Sequence, residues 1–369
     1  MRSSVTQQAE LPVSDPGELA PAGPPPDTAE LVRSLTARGE ALLHGAAAGE
    51  AMECLRVASL LAGPGDERQA RLLNRAVRQV VPRWHFAMMN DHERNAAYEE
   101  AIIATVRPGD VVLDIGTGSG LLALLAAKAG ASTVITCEAE PVIAAAARQI
   151  VRANGYADTI KVVDARSTAL RVGIDLPTRA NVLVTEIFDC ALLGEHALPA
   201  LEHARRELLT PNARLVPGRG RLLGQLVESD RLRSHNNVTV ACGFDVSPFN
   251  QFRSTEYFST YLHSHDHRML TAPFELLNVD FGTDQPAGTS EVTTLPVIDG
   301  QCDAVAMWFE LDLAPGITLS NGPRHRYTHW RQAVQTFDQR FRCDAGLPVT
   351  LRVSHDRERV HVRAPLAEW

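Results

Sequence analysis

Val112-Leu113-Asp114-Ile115-Gly116-Thr117-Gly118-Ser119-Gly120 is an apolar run that ends in three closely spaced glycines. Such a run closes a buried strand and opens a helix, and glycine is required where backbone must approach a ligand that a Cβ would block. The helix N-terminus beyond it offers unpaired N–H groups to a polar ligand. A dinucleotide fingerprint would place its third glycine one residue later, where Leu121 stands. Glu138 ends the next apolar run, 22 residues after Gly116, where an acidic side chain can grip both hydroxyls of a ribose. A glycine turn with no ligand is the competing reading.

Around this motif, Val111-Val112-Leu113, Val134-Ile135-Thr136, Ile160 to Val163 and Val182-Leu183-Val184 alternate with helical stretches. They predict buried parallel strands of a doubly wound, Rossmann-like α/β domain over 81–213. From 214 the period changes to two, with Val305, Met307, Phe309, Leu311 and Leu313 in one strand. Val349, Leu351 and Val353, then Val360 and Val362, make two more around a polar turn at His355-Asp356-Arg357. Residues 214–369 therefore read as a β-rich sandwich or barrel, with Pro211 and Pro217-Gly218 marking the junction. Leucines at near-helical spacing over 28–80, broken by Gly63-Pro64-Gly65, predict a helical N-terminal region of about three short helices. Residues 1–27, rich in Pro, Ala and Gly, predict a disordered tail.

A formal net charge of −8 and a pI near 5.9 argue against a nucleic-acid partner, which needs a basic patch, and suit a cationic substrate. Only Lys128 and Lys161 are lysines among 36 basic residues, a bias expected of a GC-rich, bacterial genome. The six cysteines form no CxxC pair, so neither a disulfide framework nor a metal site is expected, and a reducing cytoplasm suits them. No leader-like segment or 18-residue apolar run is present, so a cytoplasmic protein with no membrane partner is expected.

Thr185-Glu186-Ile187-Phe188-Asp189-Cys190-Ala191-Leu192-Leu193-Gly194-Glu195 follows the fourth strand, at the carboxyl edge of the sheet where ligands of open α/β folds bind. Taken alone, two glutamates in a loop are a solvated surface. Two other segments change that reading. Met88-Met89-Asn90-Asp91-His92-Glu93-Arg94-Asn95 with Tyr98 sets Asp91, Arg94 and Tyr98 on one helical face, and Tyr327-Thr328-His329-Trp330-Arg331-Gln332 lies far downstream.

Together with the glycine spacing, these segments resemble the protein arginine methyltransferases over roughly 84–369. The glutamate segment resembles that family's double-E loop, a hairpin clamp for a guanidinium, and 327–332 resembles its THW loop. The resemblance implies an S-adenosyl-L-methionine-dependent enzyme acting on L-arginine or an arginine-containing substrate. Glu186 and Glu195 would clamp the guanidinium. Asp91 and His329 would form a pair at the pocket, with Trp330 beside them. Asp114, Gly116, Gly118, Gly120 and Glu138 would bind the cofactor. So would Arg94 (its carboxylate), Arg166 and Ser167 (adenine) and Met88 (near the methyl). Phe188 and Gly194-Glu195-His196-Ala197-Leu198-Pro199 look most like the monomethylating branch, as do Ser247-Pro248-Phe249-Asn250 and Leu270 to Phe274. Where that branch carries a pocket tyrosine this chain has His85, a candidate substrate contact. The family dimerises through an arm, here 235–262 with Phe244, Phe249, Phe252, Tyr257, Phe258 and Tyr261, so a homodimer is implied. Three functions stay open: methylation of free L-arginine, as in natural-product pathways such as streptozotocin biosynthesis; methylation of arginine-rich peptides; and a catalytically idle cofactor-binding partner.

Overall fold

The structure is a computed structural model that describes residues 27–43, 47–325 and 328–364. The expected tail at 1–27 lies, but for Asp27, outside the described residues, as does Tyr327. Two compact units divide at Val80. The first holds α1 (Thr28–Leu42), α2 (Ala48–Ala62) and α3 (Glu67–Val80). A Cβ on Gly39 would lie 2.6 Å from Leu55 Cγ, so α1 and α2 meet where a side chain is missing. Gln69 Nε2 donates to Thr36 Oγ1 at 2.7 Å inside this unit, pairing α1 with α3 and satisfying two buried polar groups.

The second unit begins with α4 (Trp84–Met89) and α5 (His92–Thr105). It continues through β1 (Val111–Ile115), α6 (Leu121–Lys128), β2 (Thr133–Glu138), α7 (Pro141–Ala153), β3 (Ile160–Asp164), β4 (Ala180–Thr185), α8 (Ala197–His203) and β5 (Leu209–Val216). The five strands pair in the order β3-β2-β1-β4-β5, all parallel. Parallel strands covered by helices on both faces need apolar side chains in both directions, and Val112, Leu113 and Val182 to Val184 are all buried. β5 carries the sheet to Val216, past the expected boundary at 213. Pro211 is no junction but sits in a register break of β5, where an N–H is not needed.

Antiparallel strands follow: β6 (Arg219–Glu228), then α9 (Asp230–Arg233), β7 (Val240–Ala241), β8 (Phe244–Asp245), β9 (Phe258–Thr260), β10 (Arg268–Met269), β11 (Phe274–Asp280), β12 (Gly288–Thr294), β13 (Gly300–Ala314), β14 (Ile317–Ser320), β15 (Gln332–Cys343), β16 (Val349–His355) and β17 (Val360–Arg363). Seven of them form one sheet on the path β10-β6-β13-β15-β9, with β11 on β6 and β14 on β13. β12, β16 and β17 form a second sheet, and β7 and β8 a small hairpin. One core runs through both domains, from Leu113 and Val184 to Phe309 and Leu351.

The expected arm divides by burial. Phe244, Phe249 and Phe252 are exposed, on the β7–β8 hairpin and the 3-10 turn Ser247–Phe252. Tyr257 is buried in the main core, Phe258 packs on the cluster of Val227, Leu232 and Val334, and Tyr261 lies under the Arg331 guanidinium. The last three are therefore structural side chains, not free arm aromatics.

Candidate active site

Asp91 caps α5, its Oδ1 accepting the Arg94 N–H at 3.0 Å. Its Oδ2 accepts from Thr328 Oγ1 at 3.0 Å, from the His329 N–H at 2.8 Å and from His329 Nδ1 at 3.0 Å. Burial alone would raise the Asp91 carboxyl, but His329 and the other donors outweigh it and hold it down at about 2. The sequence-distant pair is thus brought together around an ionised carboxylate. One α5 turn further, Arg94 Nη2 donates to Glu186 Oε2 at 2.6 Å, both side chains almost wholly buried. Arg94 Nη1 donates to Asn95 Oδ1 at 2.8 Å. Tyr98, on the same face, donates to the Thr185 carbonyl at 3.0 Å and fixes the end of β4 from which Glu186 projects.

The glycine loop turns between β1 and α6 with positive φ at Gly116 (86°), Gly118 (50°) and Gly120 (83°), a conformation that L side chains resist. A Cβ on Gly116 would lie 2.7 Å from Ile187 Cγ2, and one on Gly118 would lie 3.7 Å from Met88 Cε. Glu138 accepts from the Gly118 N–H and the Glu140 N–H, both at 3.0 Å, leaving lone pairs on both oxygens. Ala165 N donates to the Glu138 carbonyl at 3.0 Å, so Arg166 and buried Ser167 follow directly beside the Glu138 strand end. Asp114 lies beneath: Oδ2 accepts from Thr136 Oγ1 at 2.7 Å, whereas Oδ1 is buried without a protein partner. Burial, above all, pushes the Asp114 carboxyl up to about 7.

Between Glu186 and Glu195 the chain doubles back. Leu192 (φ 77°), Glu195 (φ 61°) and His196 (φ 58°) take the left-handed conformation without being glycine, at roughly 1 kcal/mol or more each. Asp189 offsets this by accepting the Ala191 N–H at 3.0 Å and the Gly194 N–H at 3.1 Å. The Glu195 carboxyl is raised to about 7, by burial first and then by Glu186, Asp189 and Glu138. The residue borders solvent, and the three nearby carboxylates all disfavour a further negative charge there.

Two expected substrate contacts, Trp330 and His85, hydrogen-bond to backbone carbonyls. Trp330 is buried against Phe309, its Nε1 donating to the Phe188 carbonyl at 3.2 Å. It holds the double-glutamate loop from behind, where so large an apolar ring with one donor is well satisfied, and it also lies beside the Asp91–His329 pair, its ring centroid 4.0 Å from that of His329. His85 Nδ1 donates locally to the Pro82 carbonyl at 3.0 Å, and the ring stacks on Trp84 at 3.8 Å. Neither of these contacts joins it to Glu186 or Glu195. Asp189 was not singled out in the sequence, although Gly194 was the available signal: a Cβ there would lie 2.4 Å from Asp189 Cγ.

The donors and acceptors that converge here, a double-glutamate hairpin beside a glycine loop with the Asp91–His329 pair at its edge, find their counterparts among known sequences. A protein from Streptomyces achromogenes subsp. streptozoticus named arginine N(omega)-methyltransferase is 43% identical over 277 residues, covering 75% of this chain and 77% of that protein. The chain belongs to the arginine methyltransferase family. Protein arginine N-methyltransferase 7 of Cricetulus longicaudatus is 36% identical over 313 residues, 75% of this chain, and the chain spans 45% of its length. The arginine methyltransferase oligomerization subdomain matches 220–365, and the ribosomal protein L11 methyltransferase family matches 91–197. The same fold recurs in the Trypanosoma brucei PRMT1 enzyme–prozyme heterotetramer with AdoHcy. That structure has a TM-score of 0.68 at 24% identity, over 77% of this chain and 94% of that one. It recurs also in Arabidopsis thaliana protein arginine methyltransferase 10, with a TM-score of 0.61 at 22% identity, over 73% and 86%. This family of transferases combines the parallel methyltransferase sheet with the antiparallel β domain seen here. Among the described residues no group of three or more His, Cys, Asp or Glu is placed to hold a metal, and no helix is long and apolar enough to cross a membrane.

Proposed function

We propose that this chain transfers one methyl group from S-adenosyl-L-methionine to a terminal guanidinium nitrogen of free L-arginine, giving ω-N-monomethylarginine. The observation that carries the reading is the Glu186–Asp189–Glu195 hairpin, a strained loop that concentrates carboxylates where Arg94 is the cation paired with Glu186. A planar guanidinium relieves that repulsion through charge-assisted, bidentate bonds. The 43% relative's name supports the arginine acceptor.

The residues at the glycine loop fit the cofactor. Positive-φ glycines leave room where a Cβ would intrude, Glu138 keeps acceptors for ribose hydroxyls, and Arg94 Nε is buried without a protein partner, free for a carboxylate. When bound, the cofactor supplies an electrophilic methyl on a sulfonium. Glu186 and Glu195 hold the guanidinium and turn one nitrogen lone pair toward that methyl. On methylation the guanidinium nitrogen would shed a proton that the site must take up. His329, oriented by ionised Asp91, or Glu195, with its raised affinity for protons, accepts it. Arg94 ties the two halves of the site, since it touches Glu186 and its charge acts on Asp114 at the base of the glycine loop.

Peptide-bound arginine is the second reading, supported by the names of the 34–36% relatives. Competition between equimolar free L-arginine and an arginine-rich peptide, with labelled cofactor, decides it. Higher kcat/KM on free arginine is expected; faster labelling of the peptide overturns the free-arginine assignment and leaves the guanidinium chemistry standing.

A further inference from the structure

We propose that Asp189, Tyr257 and Arg359 are positioning residues for Glu195, and that the turn between β16 and β17 is thereby part of the active site. The proposal rests on the clamp reading of Glu186 and Glu195. Asp189 is the point on which the hairpin closes. While Oδ1 takes the Ala191 and Gly194 N–H groups, Oδ2 accepts the Tyr257 hydroxyl at 2.5 Å. Arg359 Nη1 in turn donates to the Tyr257 oxygen at 3.4 Å, with its guanidinium carbon 5.6 Å from the ring centroid. Tyr257 is anchored in the core, so the Asp189 carboxylate is fixed from the β domain and not only by its own loop.

The same turn holds the far side of the hairpin. Glu358 lies 2.7 Å from His196 Nδ1, and Arg357 pairs with Glu202 of α8. The turn is itself braced: Asp356 Oδ1 accepts the N–H groups of Glu358 at 2.9 Å and Arg359 at 2.7 Å. Glu195 stands between these two attachments, Asp189–Gly194 before it and His196 after it, in a left-handed conformation that an unsupported glutamate would leave. Two further ties hold the hairpin's flanks, Trp330 on Phe188 and Asn321 Nδ2 on the Cys190 carbonyl at 3.2 Å. None of them carries charge to the loop, as the Asp189 carboxylate does. A second consequence is electrostatic. Glu195 faces Glu186, itself paired with Arg94, as well as Asp189 and Glu138, so the Asp189 charge both shapes the loop and favours a cation in it.

The test measures kcat/KM for the accepted arginine substrate against pH in full-length Asp189→Asn, Tyr257→Phe and Glu195→Gln, together with calorimetric affinity for S-adenosylhomocysteine. In Asp189→Asn the amide oxygen can still accept from Ala191 and Gly194, but the charge is gone. A drop of at least about tenfold in kcat/KM is expected for it and for Tyr257→Phe, with cofactor-product affinity within about twofold. The acid limb of the Asp189→Asn profile should move to lower pH, because one negative neighbour of Glu195 is removed; mere loosening of the fold would lower the plateau and leave the midpoint in place. Tyr257→Phe, which deletes one buried hydroxyl, keeps the proposal testable should Asp189→Asn fail to fold. Near-wild-type kcat/KM in both, or in Tyr257→Phe alone if the other does not fold, overturns it, as does an unmoved acid limb in a folded Asp189→Asn. If those outcomes accompany an inactive Glu195→Gln, only the positioning role fails; an active Glu195→Gln fails the clamp itself.

Discussion

Glu195 holds its proton up to about 7 while Asp91 releases its own at about 2, so two carboxyls of one site are displaced from their ordinary values in opposite directions. Protonating Glu195 removes half of the clamp, so kcat/KM should fall by about tenfold per unit as pH drops below about 7. A profile flat from pH 8 to about 5 would remove Glu195 from substrate binding. Stability follows the same signs. Asp114 and Glu195 are raised above their ordinary values of 3.8 and 4.5, so their contribution is present at low pH and is lost as pH rises through about 7 in the ligand-free protein. Asp91 works the other way, its contribution present above 3.8 and lost as pH falls toward 2. Glu195→Gln should therefore raise the melting temperature near pH 8 while reducing turnover by ~100-fold or more with cofactor still bound. An unchanged turnover would exclude the clamp role. Glu186→Gln should also lose turnover, but it additionally weakens the buried pair with Arg94, so cofactor affinity should change only there. Asp91, Arg94, Glu138, Glu186 and Glu195 were legible in sequence because their types and intervals carry the chemistry; Asp189 was not. Tyr257 and Arg359 were not, since a tyrosine in an aromatic-rich segment and an arginine in a polar turn have no local signal of a shared partner.

Elements place these residues through geometry that periodicity partly reveals. The i, i+3, i+7 spacing of Asp91, Arg94 and Tyr98 was readable as one α5 face, and that face is buried against β4 and the loop after β15's predecessor strand, through Thr185, Glu186 and His329. The glycine loop was readable too, because positive φ and close approach leave few other residues possible. Gly118→Val, at φ 50° and facing Met88, should weaken S-adenosylhomocysteine binding by steric intrusion, and Glu138→Ala by loss of acceptors that also tether the Gly118 and Glu140 N–H groups. Calorimetry giving wild-type affinity in both variants would remove the cofactor from this loop. Trp330 shows the limit of motif reading. Its place beside His329 in sequence suggested a pocket wall; the two rings do lie 4.0 Å apart, but the indole is also buried against Phe309 and reaches the Phe188 carbonyl, a bracing role that the motif does not reveal. The end of the parallel sheet was likewise hidden, because the prolines near it look alike in sequence and only pairing shows that Pro211 lies within β5.

At the scale of the whole molecule, burial separates what folds this chain from what it has to spare. Phe244, Phe249 and Phe252 remain exposed on the β7–β8 region, within a domain that matches an oligomerization subdomain. Exposed apolar side chains gathered on one projection favour an interface, and we propose that they pack on a second copy. Light scattering at micromolar concentration should give a dimer mass, reduced to a monomer when all three are changed to serine; a monomeric wild-type protein would contradict the interface. The aromatic content of 235–262 was visible in sequence, but which rings were spare was not, since that depends on β9 pairing with β15 and packing Phe258 on Val227, Leu232 and Val334. The assembly, the cofactor loop and the glutamate hairpin all serve one chemical event, and it can be observed directly. Full-length protein incubated with methyl-labelled S-adenosyl-L-methionine and L-arginine, followed by fragmentation mass spectrometry, should show one label on a terminal guanidino nitrogen, absent with Glu195→Gln. Two methyls on one arginine as the main product would refute monomethylation. No label on the guanidinium of either free arginine or an arginine peptide would contradict the function proposed for this chain.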